Sequence, residues 1–240
     1  MSTIDAYDLP ERVSRYDADM DIMHPNRHKM IRTALGVIPF EKCDPLVAVD
    51  LGAGTGLFCM RFLQAFPSST VVAVDGASAM LGLAKTRLGA LSEKVRFVSG
   101  DFRNLAELLP SLQGVDFVLS SFALHHLTSI EKENVIRDCI SVMRPGGWFI
   151  NADIVTSENS DMEARIQEIR VAGILDRASD TDMRFKDAIS TRAFLDELEA
   201  KDGDVPLPLI EDLAIAKRAG ITKLDVFWKE YREVVWGGSK

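Results

Sequence analysis

Four residues at alternate positions, Asp50, Gly52, Gly54 and Gly56, are the part of this chain best suited to hold a ligand. The apolar run at 46–49 reads as a buried strand, Asp50 closes it, and the glycines fill the turn that follows. Glycine accepts positive φ and lets another molecule approach the backbone, so such a turn between strand and helix suits a tightly held ligand. The acid narrows the chemistry. A carboxylate ahead of the first glycine repels a pyrophosphate and favours a ligand that carries an ammonium group. A dinucleotide turn, Gly-x-Gly-x-x-Gly, would need its third glycine where Leu57 stands. The alternative is a tight turn with no ligand.

Three further positions follow strand-like runs. Asp75 closes the run at 70–74, where a carboxylate at a strand tip can accept from both hydroxyls of a ribose, or cap the helical segment from 77. Met80 falls one turn into that segment, on an adenine face or in plain core. Asp101 and Phe102 follow the run at 95–98, and 120–127 carries Ser120, His125 and His126 after the run at 115–119. A neutral imidazole there would suit removal of a proton from an acceptor hydroxyl.

The elements that must position these residues alternate. Strands at 46–49, 70–74, 95–98, 115–119 and 148–154 are separated by helical segments at 57–66, 77–91, 105–109 and 131–143. The last opens on Thr128 and Glu131, spaced as in a capping box. Repeated β-α order predicts a mainly parallel sheet with helices on both faces and ligands at the carboxyl ends of its strands. The order then changes: 157–200 is charged and helical in pattern, and Pro206 and Pro208 precede a helix at 210–219. Runs at 222–228 and 232–236 flank a short turn near Lys229 and must pair antiparallel, because a parallel return needs a dozen residues.

Asp-x-Gly-x-Gly-x-Gly after an apolar strand resembles the first motif of class I S-adenosylmethionine (SAM)-dependent methyltransferases. The closing strand pair is similar to that of members acting on small molecules. The resemblance covers 46–154 and resumes at 219–240. It implies an α/β fold with a doubly wound, seven-stranded, mainly parallel sheet and a C-terminal antiparallel hairpin. One domain would comprise a helical lid (1–45), a SAM-binding core (46–155), a helical substrate cover (156–208) and a closing helix and hairpin (209–240). The cofactor would be SAM, leaving as S-adenosylhomocysteine (SAH). Its amino acid end would lie against Asp50, Gly52, Ala53 and Gly54, its ribose at Asp75 and Gly76, its adenine at Asp101, Phe102 and Met80, with Ser120 nearby. His125 matches the segment in which many O-methyltransferases hold a general base, whereas in other relatives this histidine caps a helix or packs beneath the cofactor. Tyr16, Arg27 and their neighbours read as a lid over the cofactor or as an amphipathic surface helix.

Composition bounds the rest. The 240 residues carry a net charge of −8 with no lysine- or arginine-rich block, which counts against nucleic acid as a partner. No apolar run reaches the ~20 residues of a membrane helix, and the acidic N-terminus lacks a signal-peptide pattern. Three cysteines without metal-ligand spacing suit a reduced, cytoplasmic setting. The acid pairs Asp180, Asp182 and Asp202, Asp204 read as solvated surface, so no metal is expected. The expected partner is a small-molecule acceptor methylated at oxygen, nitrogen or carbon by in-line displacement, with a homodimer left open. The competing classes are a SAM-binding protein without turnover and an enzyme that modifies SAM itself, for which Arg15 or Arg27 could hold an anionic co-substrate. A nicotinamide oxidoreductase is the weakest.

Overall fold

The computed structural model describes residues 7–240, so the first six residues of the expected lid lie outside the described residues. Two helices, α1 (Pro10–Met23) and α2 (Arg27–Gly36), lead into the alternating core. That core runs β1 (Val47–Leu51), α3 (Leu57–Ala65), β2 (Thr70–Asp75), α4 (Ser78–Leu88), β3 (Val95–Ser99), α5 (Leu105–Leu108), β4 (Val115–Ser121), α6 (Ser129–Val142) and β5 (Met143–Ile154). An insertion of two helices, α7 (Ser160–Arg177) and α8 (Ala188–Asp202), follows. The chain closes with α9 (Leu209–Ala219), β6 (Thr222–Glu230) and β7 (Glu233–Ser239).

The strands form one sheet in the order β3-β2-β1-β4-β5-β7-β6. The first five are parallel, and β7 inserts antiparallel to both β5 and β6. This is the expected seven-stranded sheet with its terminal hairpin. The hairpin turn falls at Tyr231 and Arg232, two residues beyond the expected one, and β7 continues to Ser239. The helix expected over 77–91 stops at Leu88, and 89–94 tightens into a 3-10 turn. The Pro-Gly-Gly segment before β5 is a bulge within the strand: Met143 pairs with Val115, and Trp148 with Phe117.

Each sheet face is apolar because strand residues alternate sides and helices cover both. On one face Phe117 stacks with Phe62, itself beside Phe58 and Phe66 of the segment from α3. On the other, Phe149 stacks on Trp236 and meets α6 and α9. The insertion makes a third, smaller apolar cluster in which Val171, Ile174, Phe185 and Leu195 meet Met23 of α1. The N-terminal helix is thereby clamped between the core and the insertion. Among the described residues no helix is long and apolar enough to cross a membrane.

The capping box foreseen at Thr128 is formed: its hydroxyl accepts from the N–H of Glu131, whose carboxylate accepts from the N–H of Thr128. Four residues into the same helix, Lys132 turns inward and donates to Asp212 of α9 at 2.5 Å. Both side chains are 1 % exposed. This ion pair locks α9 against α6. Removing one partner strands a buried charge, so Lys132→Met is expected to cost about 3–5 kcal/mol, while Lys132→Met with Asp212→Leu recovers most of that loss. Urea unfolding of the two variants checks it; equal stability of the single and double variants would remove the pair from any structural role.

Candidate active site

The site is built along the carboxyl edge of four adjacent strands. In the order β3-β2-β1-β4, their ends present Asp101, Asp75, Asp50 and Phe122. The glycine turn is pinned by the neighbouring strand: Gly52 and Ala53 N–H donate to the Val74 carbonyl at 2.9 and 3.0 Å. Gly54 N–H donates to Asp75 Oδ2 at 2.7 Å, and Ala77 N–H to Asp75 Oδ1 at 2.8 Å. Asp75 therefore holds the turn and the residue just ahead of α4, whose N-terminus has no side-chain cap. A carboxylate has about four lone-pair directions, so two remain for hydroxyl donors.

The turn must be glycine for two reasons. Gly52 has φ +67°, and a Cβ there would lie 2.5 Å from the Ala123 Cβ. Gly56 has φ +74° and faces Ala84 of α4 at 2.8 Å. Close packing of the turn on both sides thus excludes side chains, leaving its backbone and the Asp50 carboxylate to line a cleft.

Asp50 lies in that cleft with Gly52, Ala53, Gly54, Tyr16 and Arg27. The carboxylate is 1 % exposed; Oδ2 accepts from the Cys59 thiol at 3.1 Å, while Oδ1 is buried with no partner. Burial, reinforced by the nearby Asp75 charge, pushes Asp50 up to about 7. An unsatisfied buried carboxylate oxygen is costly unless a donor reaches it, and an ammonium group supplies one. Arg27, 7 % exposed, faces the same cleft from α2 and pairs with Asp17 at 2.9 Å. Acid and guanidinium together complement the two ends of a zwitterionic amino acid. This part of the cleft encloses about 30 Å³, room for such a group and not for a nucleoside.

Helix α1 packs over this cleft, with Tyr16 and Met20 in its lining. Asp17 accepts from Thr55 of the glycine turn at 3.0 Å and pairs with Arg87 of α4, and Asp8 accepts from Ala79 N–H at 2.9 Å. The other side of α1 meets the insertion: Arg12 pairs with Asp202, and Arg184 makes a two-pronged contact with Asp19 at 2.8 and 2.9 Å.

Between α1, α7 and α8 lies a second cavity of about 270 Å³. It adjoins the cleft, since Tyr16, Met20 and Phe122 line both. Phe122 holds φ +51°, a left-handed conformation that a bulky residue adopts only at a cost of about 1–3 kcal/mol, as occurs at ligand sites. His125 lines the larger cavity. Its ring is not placed as a free base, however. Nδ1 bonds Asp153 Oδ1 at 2.6 Å and Nε2 faces Asp204 Oδ1 at 3.5 Å. Burial alone would depress the imidazole, but the Asp153 carboxylate and then Asp204 raise it to about 10, so the free protein holds it as a cation. Its neighbour His126 is lowered by burial and by the charge of His125.

Other expectations are met in part. Asp101 caps a 3-10 turn at Phe102–Asn104 and bonds Arg103 through backbone and side chain at 2.9 and 2.8 Å. Phe102 lies within 3.6 Å of the position a Gly52 Cβ would take, on the far side of the turn. Met80 is 1 % exposed and Ser120 wholly buried, so both sit in the core beneath the edge, where strand and helix packing places them, and not on an open wall. The reading of the acids at 202 and 204 as solvated surface is corrected: Asp202 is buried on Arg12 and Asp204 sits against both histidines. Asp182 also pairs with Arg184, and only Asp180 is exposed as foreseen. Asp204 and Arg170 of the cavity wall, and Asp153 buried behind His125, were not foreseen as site residues. Asp153 alone left a trace, an acid within an apolar strand run.

Residues 48–147 match the model of a methyltransferase domain. Over 134 residues the chain is 33 % identical to an uncharacterized methyltransferase of Anoxybacillus flavithermus, an alignment covering 56 % of this chain and 59 % of that relative. A carboxy-S-adenosyl-L-methionine synthase of Nautilia profundicola is 20 % identical over 182 residues, 75 % of this chain and 71 % of the relative. Among solved structures, phosphoethanolamine N-methyltransferase 2 of Haemonchus contortus with bound S-adenosyl-L-methionine superposes with a TM-score of 0.65 at 16 % identity. That likeness spans 94 % of this chain and 46 % of the other, and it carries the fold. The chain thus spans well under the full length of relatives it matches.

Packing of the methyltransferase turn is testable directly. Gly52→Ala adds both a clash and a strained φ, for an expected loss of about 2–4 kcal/mol. Ala123→Gly in the same chain removes the Cβ contact and should restore about half, read from thermal unfolding.

Proposed function

We propose that the chain transfers the methyl group of SAM to a small organic acceptor. The observation that carries this reading is the wall shared by the two cavities: Tyr16, Met20 and Phe122 line both the cleft of the glycine turn and the larger chamber. Displacement at a methyl carbon needs the acceptor and the leaving sulfur on opposite sides of that carbon, and two adjoining pockets supply this alignment. When bound, SAM supplies an activated methyl on a sulfonium. The residues of this chain then bind and orient. Asp50 accepts from the ammonium, Arg27 faces the carboxylate, Asp75 takes the ribose hydroxyls, and Asp101 with Phe102 flanks the adenine.

The acceptor chamber has the size of a small-molecule site, which supports an acceptor bound whole over a loop of a macromolecule. Its walls mix Phe122, Phe194 and Met20 with Arg170, Glu199 and His125. His125 acts there as a positioning group: the Asp153 carboxylate fixes its ring against the acceptor. A reading in which the pocket modifies SAM itself needs an uncommitted lid arginine. Arg27 is held by Asp17 and faces the cofactor cleft, so that reading would rest on Arg15, which is 56 % exposed and 3.5 Å from Asp182. A reduced, cytoplasmic setting accords with Cys59, whose thiol must stay reduced to bond Asp50.

Calorimetric titration with SAH, SAM and NAD tests the cofactor, and binding of NAD alone would overturn the reading. Asp75→Ala is expected to weaken SAH by about 1.5–3 kcal/mol, because charge-assisted bonds to two hydroxyls are lost.

The pH dependence follows from Asp50. Its folded value lies above the usual carboxylate range, so the protonated form is favoured in the free fold, and its contribution to stability fades as pH rises through about 7. An ammonium ligand selects the carboxylate instead. Affinity for SAH should therefore fall roughly tenfold per pH unit below about 7, level off above it, and vanish as a trend in Asp50→Asn. A flat profile from pH 5.5 to 8.5 would show that Asp50 does not meet the ammonium.

A further inference from the structure

The 3-10 turn Leu124–His126 sets two histidines side by side at the end of β4, with ring centroids 4.0 Å apart. The loop after α8 brings Asp204 against them. His125 Nε2 lies 3.5 Å and His126 Nδ1 2.9 Å from the same Asp204 oxygen, and the three ligand-type atoms lie within 4.8 Å of one another. Zinc bonds to imidazole nitrogen and carboxylate oxygen are about 2.0–2.2 Å long, which at ordinary coordination angles spaces neighbouring donors about 3.0–3.5 Å apart. The two measured edges fall within a few tenths of an ångström of that range.

Ion pairing accounts for this cluster only in part: Asp204 faces both rings. Despite their 2.9 Å separation, His126 Nδ1 and Asp204 Oδ1 make no hydrogen bond of ordinary geometry, and both atoms are buried. Poorly aligned buried polar atoms are costly, and an ion between them removes the cost. His125 is also braced as metal-binding histidines are. Asp153 holds Nδ1 at 2.6 Å with one oxygen and accepts the His125 backbone N–H at 3.1 Å with the other, which aims Nε2 at Asp204. His125 and Asp204 both line the 270 Å³ cavity, so coordination positions beyond the three protein ligands open toward it.

We propose that His125, His126 and Asp204 bind one divalent transition-metal ion at the wall of the acceptor cavity. Two imidazoles and one carboxylate with open positions suit zinc or ferrous iron, whereas magnesium and calcium take oxygen ligands. Loading releases the Nε2 proton of His125 to solvent, as metal binding to histidine does. The site stands apart from the cleft of the glycine turn and does not depend on the methyl-transfer reading.

The test uses the full chain stripped with a chelator, titrated with zinc by calorimetry and with cobalt(II) by visible absorption. The wild type should take one equivalent of either ion, with ligand-field bands from cobalt and a rise in melting temperature on zinc. His126→Ala and Asp204→Asn should each weaken zinc at least tenfold and abolish the cobalt bands, while His28→Ala, on an exposed histidine near Asp21, should change neither. The two variants lie on different elements, so one serves if the other fails to fold. Absence of stoichiometric zinc in the wild type would overturn the proposal, and so would zinc that persists unweakened in both variants.

Discussion

Three successive N–H groups of the glycine turn, from Gly52, Ala53 and Gly54, are held by the last two residues of β2. That tether is the constraint on which the rest depends. It draws the turn across the neighbouring strand end, sets the Asp50 carboxylate at the cleft floor and leaves Asp75 with spare lone pairs facing outward. Ala123 and Ala84 close on Gly52 and Gly56, so the turn has little room to shift. A ligand meets a prearranged set of donors and acceptors, and little ordering cost remains at binding.

The opposite end of the site is organised by charge. The two carboxylates that flank His125, on β5 and after α8, join the sheet to the insertion, and Lys132 with Asp212 fixes the closing helix beneath them. These groups are buried, so each is stable only with its partner present. The insertion is thereby held in one orientation over the sheet edge by a few ion pairs and one small apolar cluster.

Much of the core was legible in the sequence because its signals are local. Apolar runs of strand length, the acids Asp50, Asp75 and Asp101 after the first three of them and the capping pair Thr128 and Glu131 act over a few residues, and the structure forms every expected strand, with β5 starting five residues early and α4 ending three residues early. The cavity wall was not legible, for a physical reason. His125 meets an aspartate 28 residues away in β5 and another after α8, and Lys132 meets one 80 residues away. Such pairings are created by topology and leave no spacing to read. The acids at 202 and 204 look the same on paper whether solvated or paired, so charge pattern alone assigned them to the surface. Arg27 was foreseen as part of a lid, but its place opposite Asp50 depends on how α2 packs.

Helix α1 is a wall of both cavities and is tied on one side to the glycine turn and α4, on the other to the insertion. A molecule that seats α1 against the cleft also completes the neighbouring chamber, and one that fills the chamber presses α1 onto the cleft. Any coupling between occupancy of the two would be reciprocal: whatever factor the first ligand lends to the second, the second returns to the first.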